Sequence, residues 1–251
     1  MKVLTPGHSP TAADEAVPMR WARPYLPVPE VIDEGSDGEV DWLVTRALAG
    51  LDASRHPLSA EPARLVPMLA RGHAAFHAAA PVDGCPFDFR AATAIAHVRR
   101  RVRDGITKPT DLHPEDAHLT VSGAIRELEQ LAPETEDLVV CHGDYCMPNV
   151  LLDETGTFTG YVDLGELGVA DRWWDVAVGA WSTIWNIGPG YEELFYESYG
   201  SAPTTTGSAS PASSTSLFPS KPFPNKPFPS KPFPSKPFRW GCLTGMTGWA
   251  P

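Results

Sequence analysis

The chain has 251 residues, of which 42% are hydrophobic, and a formal net charge of −11, so it is long enough for one large domain or two small ones. No run of about 18 apolar residues occurs, which argues against a membrane-spanning helix. The N-terminus lacks the basic and then apolar order of a secretory signal. The four cysteines form no CxxC motif, so we expect reduced thiols in a cytoplasmic protein.

The charge is unevenly distributed along the chain. Residues 201–251 contain five basic residues and no acidic ones, so the first 200 residues are even more negative than the whole chain. Such an acidic body repels nucleic acids and anionic membranes and attracts cationic small molecules. Ordinary solubility explains the same acidity equally well, and composition does not separate the two explanations.

The first fifty residues are rich in turns and extended segments. A short helix is predicted over residues 14–21, although Pro18 limits its length. Residues 26–32 and 40–45 have the composition of short strands, and the Gly/Asp-rich segment 34–38 lies between them. This order predicts a β-hairpin.

The middle of the chain is predicted to be mainly helical. Leu65, Leu69 and Phe76 follow the three-and-four spacing of an amphipathic helix. Residues 91–102 and 122–131 predict two more helices, and a loop rich in prolines and acids separates these two.

The composition changes abruptly after Gly200, at the end of a further predicted helical stretch. A Ser/Thr-rich segment is followed by four copies of a five-residue unit, Phe-Pro-Ser/Asn-Lys-Pro. Proline at two of every five positions prevents a regular helix or strand, so residues 201–251 are predicted to be a disordered, low-complexity tail. The PxxP spacing inside each repeat leaves a partner-binding role open as an alternative.

One segment carries the clearest chemical signal. The apolar run 138–141 leads into His-Gly-Asp at 142–144, and Asn149 follows five positions after the aspartate. The turn 154–157 predicts a hairpin that returns the chain, so that Asp163 comes to lie beside Asn149. Phosphoryl transfer needs one carboxylate to orient the attacking hydroxyl, together with hard oxygen ligands for Mg²⁺. This combination predicts a phosphotransferase site with Asp144 as the base and Asn149 and Asp163 as metal ligands.

The motif resembles the aminoglycoside 3′-phosphotransferase family. The resemblance also includes Val-Asp-Leu-Gly at 162–165, the segment 168–175 and the segment 81–88, and it covers about residues 1–200. It implies an α+β, protein-kinase-like fold. The expected division is a truncated nucleotide-binding β lobe with its hinge in residues 1–50, a mainly helical catalytic lobe in 51–200, and the tail in 201–251.

The resemblance also implies roles for individual residues. Asp144 is the expected catalytic base, and His142 and Asp175 are expected to support the catalytic loop. Lys2 and Glu15 correspond to the lysine and glutamate that hold the nucleotide phosphates in kinase-like folds, although a lysine so near the chain start is also explained as a solvated side chain.

Two further pairs of residues are candidate binding positions. Thr45 and Ala47 match the hinge that binds adenine through its backbone, and an ordinary strand end is the alternative. Glu115 and Asp116 are candidate contacts for the phosphate acceptor, with a solvated acidic loop as the alternative.

The sequence also departs from the family pattern. The strands that normally cover the phosphates and the family C-terminus are expected to be missing. Glu166 stands where arginine is common, and Trp185 and Asn186 stand where some members have acids that bind amino sugars.

The expected function is therefore transfer of the γ-phosphate of ATP or GTP, with Mg²⁺, to a hydroxyl of an aminoglycoside antibiotic. No nucleic acid, membrane or protein partner is predicted. A catalytically inactive kinase-like remnant or a binding scaffold is the alternative.

Overall fold

The computed structural model describes residues 1–4, 11–104, 120–132 and 135–200. The strands in these ranges are β1 (Lys2–Leu4), β2 (Val31–Ser36), β3 (Asp41–Thr45), β4 (Leu51–Asp52), β5 (Leu138–Cys141), β6 (Val150–Leu152), β7 (Phe158–Tyr161) and β8 (Gly168–Asp171). The α-helices are α1 (Ala12–Ala22), α2 (Pro62–Ala79), α3 (Ala91–Arg103), α4 (Val121–Leu131), α5 (Arg172–Asn186) and α6 (Glu192–Tyr199). Short antiparallel sheets and segregated helices confirm the predicted α+β class.

The described residues fall into two compact units. The first lies within residues 1–88 and 138–200, and the second within residues 89–137. The predicted domain boundaries near residues 50 and 200 stay predictions.

The first unit begins with a three-stranded antiparallel sheet in the order β1-β3-β2, on which α1 packs. Thr11 caps α1: its side chain accepts the N–H of Asp14, and the Asp14 carboxylate accepts the N–H of Thr11 at 2.9 Å. The helix then continues through Pro18 to Ala22, further than the sequence predicts. Packing of the helix on the sheet stabilises it despite the backbone hydrogen bond that proline cannot make.

The predicted hairpin near the N-terminus is present as β2 and β3, but its first strand is Val31–Ser36 and shares only residues 31 and 32 with the predicted strand 26–32. Pro27 and Pro29 lack the N–H group that a strand ladder needs, so the strand begins after them and the turn lies later than expected. The Asp37 carboxylate accepts the N–H groups of Glu39 and Val40, both at 2.9 Å, and so fixes the turn.

The helix α2 supplies a large part of the core of the first unit. Leu65, Leu69 and Phe76 are each at most 1% exposed, which confirms the predicted amphipathic face. This helix packs against α5 and α6. The hydroxyl of Tyr145 donates to the carbonyl of Leu69 at 3.1 Å, so α2 also holds the segment that follows β5.

Two small sheets complete the first unit. β6 and β7 form the predicted hairpin, which β4 extends, and Asp153 accepts the N–H groups of Thr155 and Thr157 at 2.9 Å in its turn. β5 pairs with β8, with Cys141 opposite Gly168. β8 has no counterpart among the strands predicted from the sequence.

The second unit contains α3 and α4, which pack against each other. Thr120 caps α4 by accepting the N–H of Gly123 at 3.0 Å, and Glu136 accepts the first helical N–H of α3, from Ala91, at 2.9 Å. An ion pair between Arg99 and Glu129 joins the two helices. Both helices predicted here are confirmed.

Some predictions fall on residues outside the described ranges. These are the loop that contains Glu115 and Asp116 and the tail 201–251. Among the helices that the structure describes, none is sufficiently long and apolar to cross a membrane.

Candidate active site

Residues 142–149 follow β5, and we call this segment the catalytic loop. One buried carboxylate holds its backbone. Asp175, in the first turn of α5, accepts the N–H of Gly143 at 2.8 Å with Oδ1 and the N–H of His142 with Oδ2. The Trp174 indole donates to the carbonyl of Gly143 at 3.0 Å. Three bonds from α5 therefore fix the backbone just before Asp144.

Gly143 is required at this position for two reasons. Its φ of 89° lies in the left-handed region, which residues with a side chain adopt only at a cost. A Cβ atom here would also collide with the backbone and Cβ of Glu166. The close approach brings the loop against the segment that follows β7.

His142 links the two halves of the site. Its Nδ1 accepts the N–H of Asp144 at 3.3 Å, and its Nε2 lies 3.0 Å from the carbonyl oxygen of Val162. A carbonyl only accepts, so Nε2 carries the proton and the ring is neutral in this arrangement. His142 thus connects the backbone of Asp144 to the residue before Asp163.

Asp144 and Asn149 meet within the loop. The side-chain nitrogen Nδ2 of Asn149 donates to the backbone carbonyl and to Oδ2 of Asp144, at 3.0 Å each. Because Nδ2 is used in these bonds, the side-chain oxygen Oδ1 of Asn149 is the atom that can ligate a cation. Burial raises the pKa of Asp144, and the nearby charge of Asp163 adds to this, while the hydrogen bond from Asn149 acts against it.

The hairpin β6–β7 brings Asp163 to the same place. The N–H of Val162 donates to the carbonyl of Asn149 at 3.0 Å. Asp163 itself has a φ of 61°, and it is the non-glycine residue with positive φ in the described part of the chain. Such backbone strain is typical of functional sites. A carboxylate and an amide oxygen next to the Asp144 carboxylate form a donor set that fits Mg²⁺.

Lys2 lies on the other side of Asp163. Its Nζ forms an ion pair with Glu15, which is 2% exposed, and lies 3.6 Å from Oδ1 of Asp163. Burial acts to lower the pKa of Lys2, but Asp163 and Glu15 outweigh it, so the pKa is raised and the ammonium stays charged. The sheet thus places a cation beside the catalytic loop.

The remaining predicted positions are less closely tied to this cluster. Thr45 ends β3 opposite Val31, and Ala47 is exposed in the segment that follows. Glu115 and Asp116 lie outside the described residues.

Sequence reasoning missed several supporting residues. The Ser182 hydroxyl accepts the N–H of Met147 at 2.8 Å and so fixes the far end of the catalytic loop. His73 and His77 approach Asp175 from α2. Their i, i+4 spacing on an apolar helix face is a signal that was present in the sequence.

Asp175 remains ionised in this surrounding. Its burial would raise its pKa, but the imidazoles of His73 and His77 outweigh this and hold the pKa below its usual range. Burial lowers the pKa of His73 to about 3, and the proximity of His77 contributes. His73 is therefore a neutral ring beside a charged carboxylate.

Comparison with known proteins identifies the family. The model of the phosphotransferase enzyme family matches residues 2–211. The chain is 41% identical over 193 residues to an aminoglycoside 3′-phosphotransferase of Streptomyces fradiae, which covers 74% of this chain and 71% of the relative. The chain belongs to the aminoglycoside 3′-phosphotransferase family. A second such enzyme, from Streptomyces ribosidificus, is 40% identical over 78% of this chain and 76% of its own length.

The fold agrees with this assignment. The crystal structure of an aminoglycoside 3′-phosphotransferase of type VIII superposes with a TM-score of 0.72 and 32% identity, over 86% of this chain and 81% of that one. This confirms the protein-kinase-like fold that the resemblance implied. The protein is accordingly a phosphotransferase enzyme by family.

Proposed function

We propose that this aminoglycoside 3′-phosphotransferase family member transfers the γ-phosphoryl group of a nucleoside triphosphate to the 3′-hydroxyl of an aminoglycoside, and so confers antibiotic resistance. The observation that carries the proposal is the convergence of Asp144, Asn149 and Asp163 at the catalytic loop, with Lys2 3.6 Å from Asp163. Asp144 accepts the proton of the attacking hydroxyl. Its raised pKa makes its carboxylate a stronger proton acceptor than a solvated aspartate.

Asn149 and Asp163 are the residues that would hold Mg²⁺. When bound, the cation neutralises charge on the transferring phosphate. The protein's own contribution is to fix these oxygens: Asn149 is held by two bonds to Asp144, and Asp163 follows a residue bonded to both His142 and Asn149.

Lys2 would bind the nucleotide phosphates, and Glu15 would hold Lys2 in place. The buried Glu15 carboxylate restrains the ammonium group, so less side-chain entropy is lost when a phosphate binds. Thr45 and Ala47 would bind the base through their backbone, with ATP or GTP as the cosubstrate.

The acceptor follows from charge and from the relatives. Aminoglycosides are polycations, and the described residues of the first unit include most of the acidic residues of a chain with net charge −11. The relatives from Streptomyces fradiae and Streptomyces ribosidificus are named as aminoglycoside 3′-phosphotransferases. Glu115 and Asp116 are the proposed contacts for acceptor ammonium groups.

Release of nucleoside diphosphate measured with a set of acceptors tests the proposal. We expect turnover with kanamycin-like acceptors that carry a 3′-hydroxyl and none with matched 3′-deoxy analogues. Turnover with both would place the phosphate on another hydroxyl. Absence of turnover with every aminoglycoside would overturn the proposed acceptor.

Thermal unfolding with Mg²⁺ and ATP separates an enzyme from an inactive remnant. A ligand at 100 times its Kd adds about 2.7 kcal/mol to the free energy of unfolding, so the Tm should rise clearly at millimolar nucleotide. An unchanged Tm with both ATP and GTP would favour a non-catalytic scaffold.

A cytoplasmic location belongs to the same proposal. Cys85, Cys141 and Cys146 are all free thiols among the described residues, which is the usual state in a reducing compartment. Fractionation of cells that express the chain checks this location.

A further inference from the structure

A second cluster of ligand-type side chains lies beneath the catalytic loop. His73, His77 and Asp175 are all buried, and one ligand atom from each lies within 4.8 Å of the others. His73 Nε2 is 3.4 Å from Asp175 Oδ2, and His77 Nε2 is 3.2 Å from the same oxygen. The two histidines come from successive turns of α2 and the carboxylate from α5.

Three nitrogens approach Asp175 Oδ2: the backbone nitrogen of His142 and the Nε2 atoms of His77 and His73. Hydrogen bonds to this oxygen account for only two of them. This oxygen already accepts the N–H of His142 and bonds to His77, which uses both of its lone pairs. His73 is fully buried, and neither of its ring nitrogens has a hydrogen-bond partner. An unpartnered buried imidazole is costly, so the cluster as a set of hydrogen bonds leaves one member unsatisfied.

We propose that His73, His77 and Asp175 form a structural site for a divalent transition metal of the zinc class. Ligand atoms at 2.0–2.1 Å around a tetrahedral ion are separated by about 3.3–3.4 Å. The two distances to Asp175 Oδ2, 3.2 and 3.4 Å, match this separation. Two imidazoles and one carboxylate are a ligand set that zinc accepts, and the ion would give His73 Nε2, one of the two unpartnered nitrogens of this ring, a partner.

Two tyrosines hold the histidine rings in place. The Nδ1 of His77 lies 2.7 Å from the hydroxyl of Tyr199, which directs Nε2 towards Asp175. The His73 ring stacks on Tyr145, with centroids 3.6 Å apart and planes at 4°. Tyr145 is part of the catalytic loop, and Asp175 binds the backbone of that loop. A metal ion at this site would therefore connect α2 to the catalytic loop.

Metal content of the full-length wild-type protein tests the site. Because the cluster is buried, a metal ion must enter it while the chain folds. The protein is therefore produced in minimal medium with Zn²⁺ or with Co²⁺, and it is then freed of any tag and dialysed. We expect about one equivalent of metal by mass spectrometry, and intense visible bands of tetrahedral Co²⁺. The variant Asp163→Asn should keep both, since its change affects only the proposed magnesium site.

Matched histidine variants locate the ligands. His73→Leu should lose the metal and the Co²⁺ bands, whereas His97→Leu, which changes a half-buried histidine of α3, should keep them. Circular dichroism checks that His73→Leu folds. If it does not, X-ray absorption of the wild-type zinc form should show two imidazole ligands at about 2.0–2.1 Å.

Three results would overturn the proposal. They are wild-type protein free of metal from both media, metal retained by folded His73→Leu, and an absorption spectrum without two imidazoles.

Discussion

Hydrogen bonds with neighbouring residues fix the orientation of the Asp144 side chain and backbone. Its Oδ2 accepts from Asn149, and its N–H donates to His142, which in turn contacts the carbonyl of Val162. The side chain is therefore held in one orientation before any substrate binds. Preorganisation of this kind is a main source of catalytic rate in phosphoryl transfer.

Asp144→Asn is expected to reduce kcat by roughly 10²–10⁴-fold with little change in KM for the nucleotide. The amide has the same shape but cannot accept the hydroxyl proton. Steady-state kinetics measures both constants, and Asp83→Asn, at an exposed aspartate, is the matched control. A kcat within threefold of wild type would remove Asp144 from the mechanism.

Lys2 and Glu15 are expected to act as one unit, because they form an ion pair with the glutamate buried. Lys2→Met should raise the KM for ATP by about tenfold, equivalent to 1.4 kcal/mol of binding. Glu15→Gln should have a smaller effect, and the double variant should resemble Lys2→Met alone. Additive effects in this cycle would show that the two residues act independently.

The catalytic loop is determined by packing between elements as well as by its own residues. Gly143 and Gly84 have almost the same backbone conformation, with φ of 89° and 88°. A Cβ atom would strike Glu166 at Gly143, but it would meet nothing within 4 Å at Gly84. Alanine variants at these two glycines therefore separate the cost of the left-handed backbone, which both share, from the cost of a steric clash, which only Gly143 has.

Gly84→Ala is expected to cost about 1 kcal/mol of unfolding free energy, from the left-handed backbone alone. Gly143→Ala should cost about 1–3 kcal/mol more, because the methyl group forces the loop away from Glu166, and activity should fall with it. Urea denaturation compares the two variants with wild type. Equal losses at both sites would mean that the loop moves freely to accommodate the methyl group.

At the scale of the whole molecule, the acidic charge predicts how salt affects the reaction. Attraction between the acidic body and a polycationic acceptor is screened as ionic strength rises, since the Debye length falls from about 10 Å at 0.1 M to 3 Å at 1 M. The KM for the aminoglycoside should therefore rise with NaCl. A series at constant Mg²⁺ and saturating ATP measures this, with sucrose as a non-ionic control. A salt-independent KM would mean that long-range charge does not contribute to acceptor binding.

Much of the site was predictable because its contacts are local. Asp144 and Asn149 are five positions apart, and turn chemistry together with alternating apolar residues determines the hairpin that returns Asp163. The α2 face was equally clear from its spacing. In contrast, β8 becomes a strand through its pairing with β5, a segment distant in the chain, and no local pattern indicates this pairing.

The sequence by itself determined the hairpin and the amphipathic face of α2, because local turn preferences and helical periodicity act over short stretches of chain. Its resemblance to a known family implied the α+β class and the candidate site residues. Only the tertiary structure decided what holds them. Asp175 reaches the loop backbone across 33 positions, and His77 reaches Asp175 across 98. Periodicity shows that a helix has a buried face, but it does not show which distant polar group that face will meet, since long-range packing alone selects the partner.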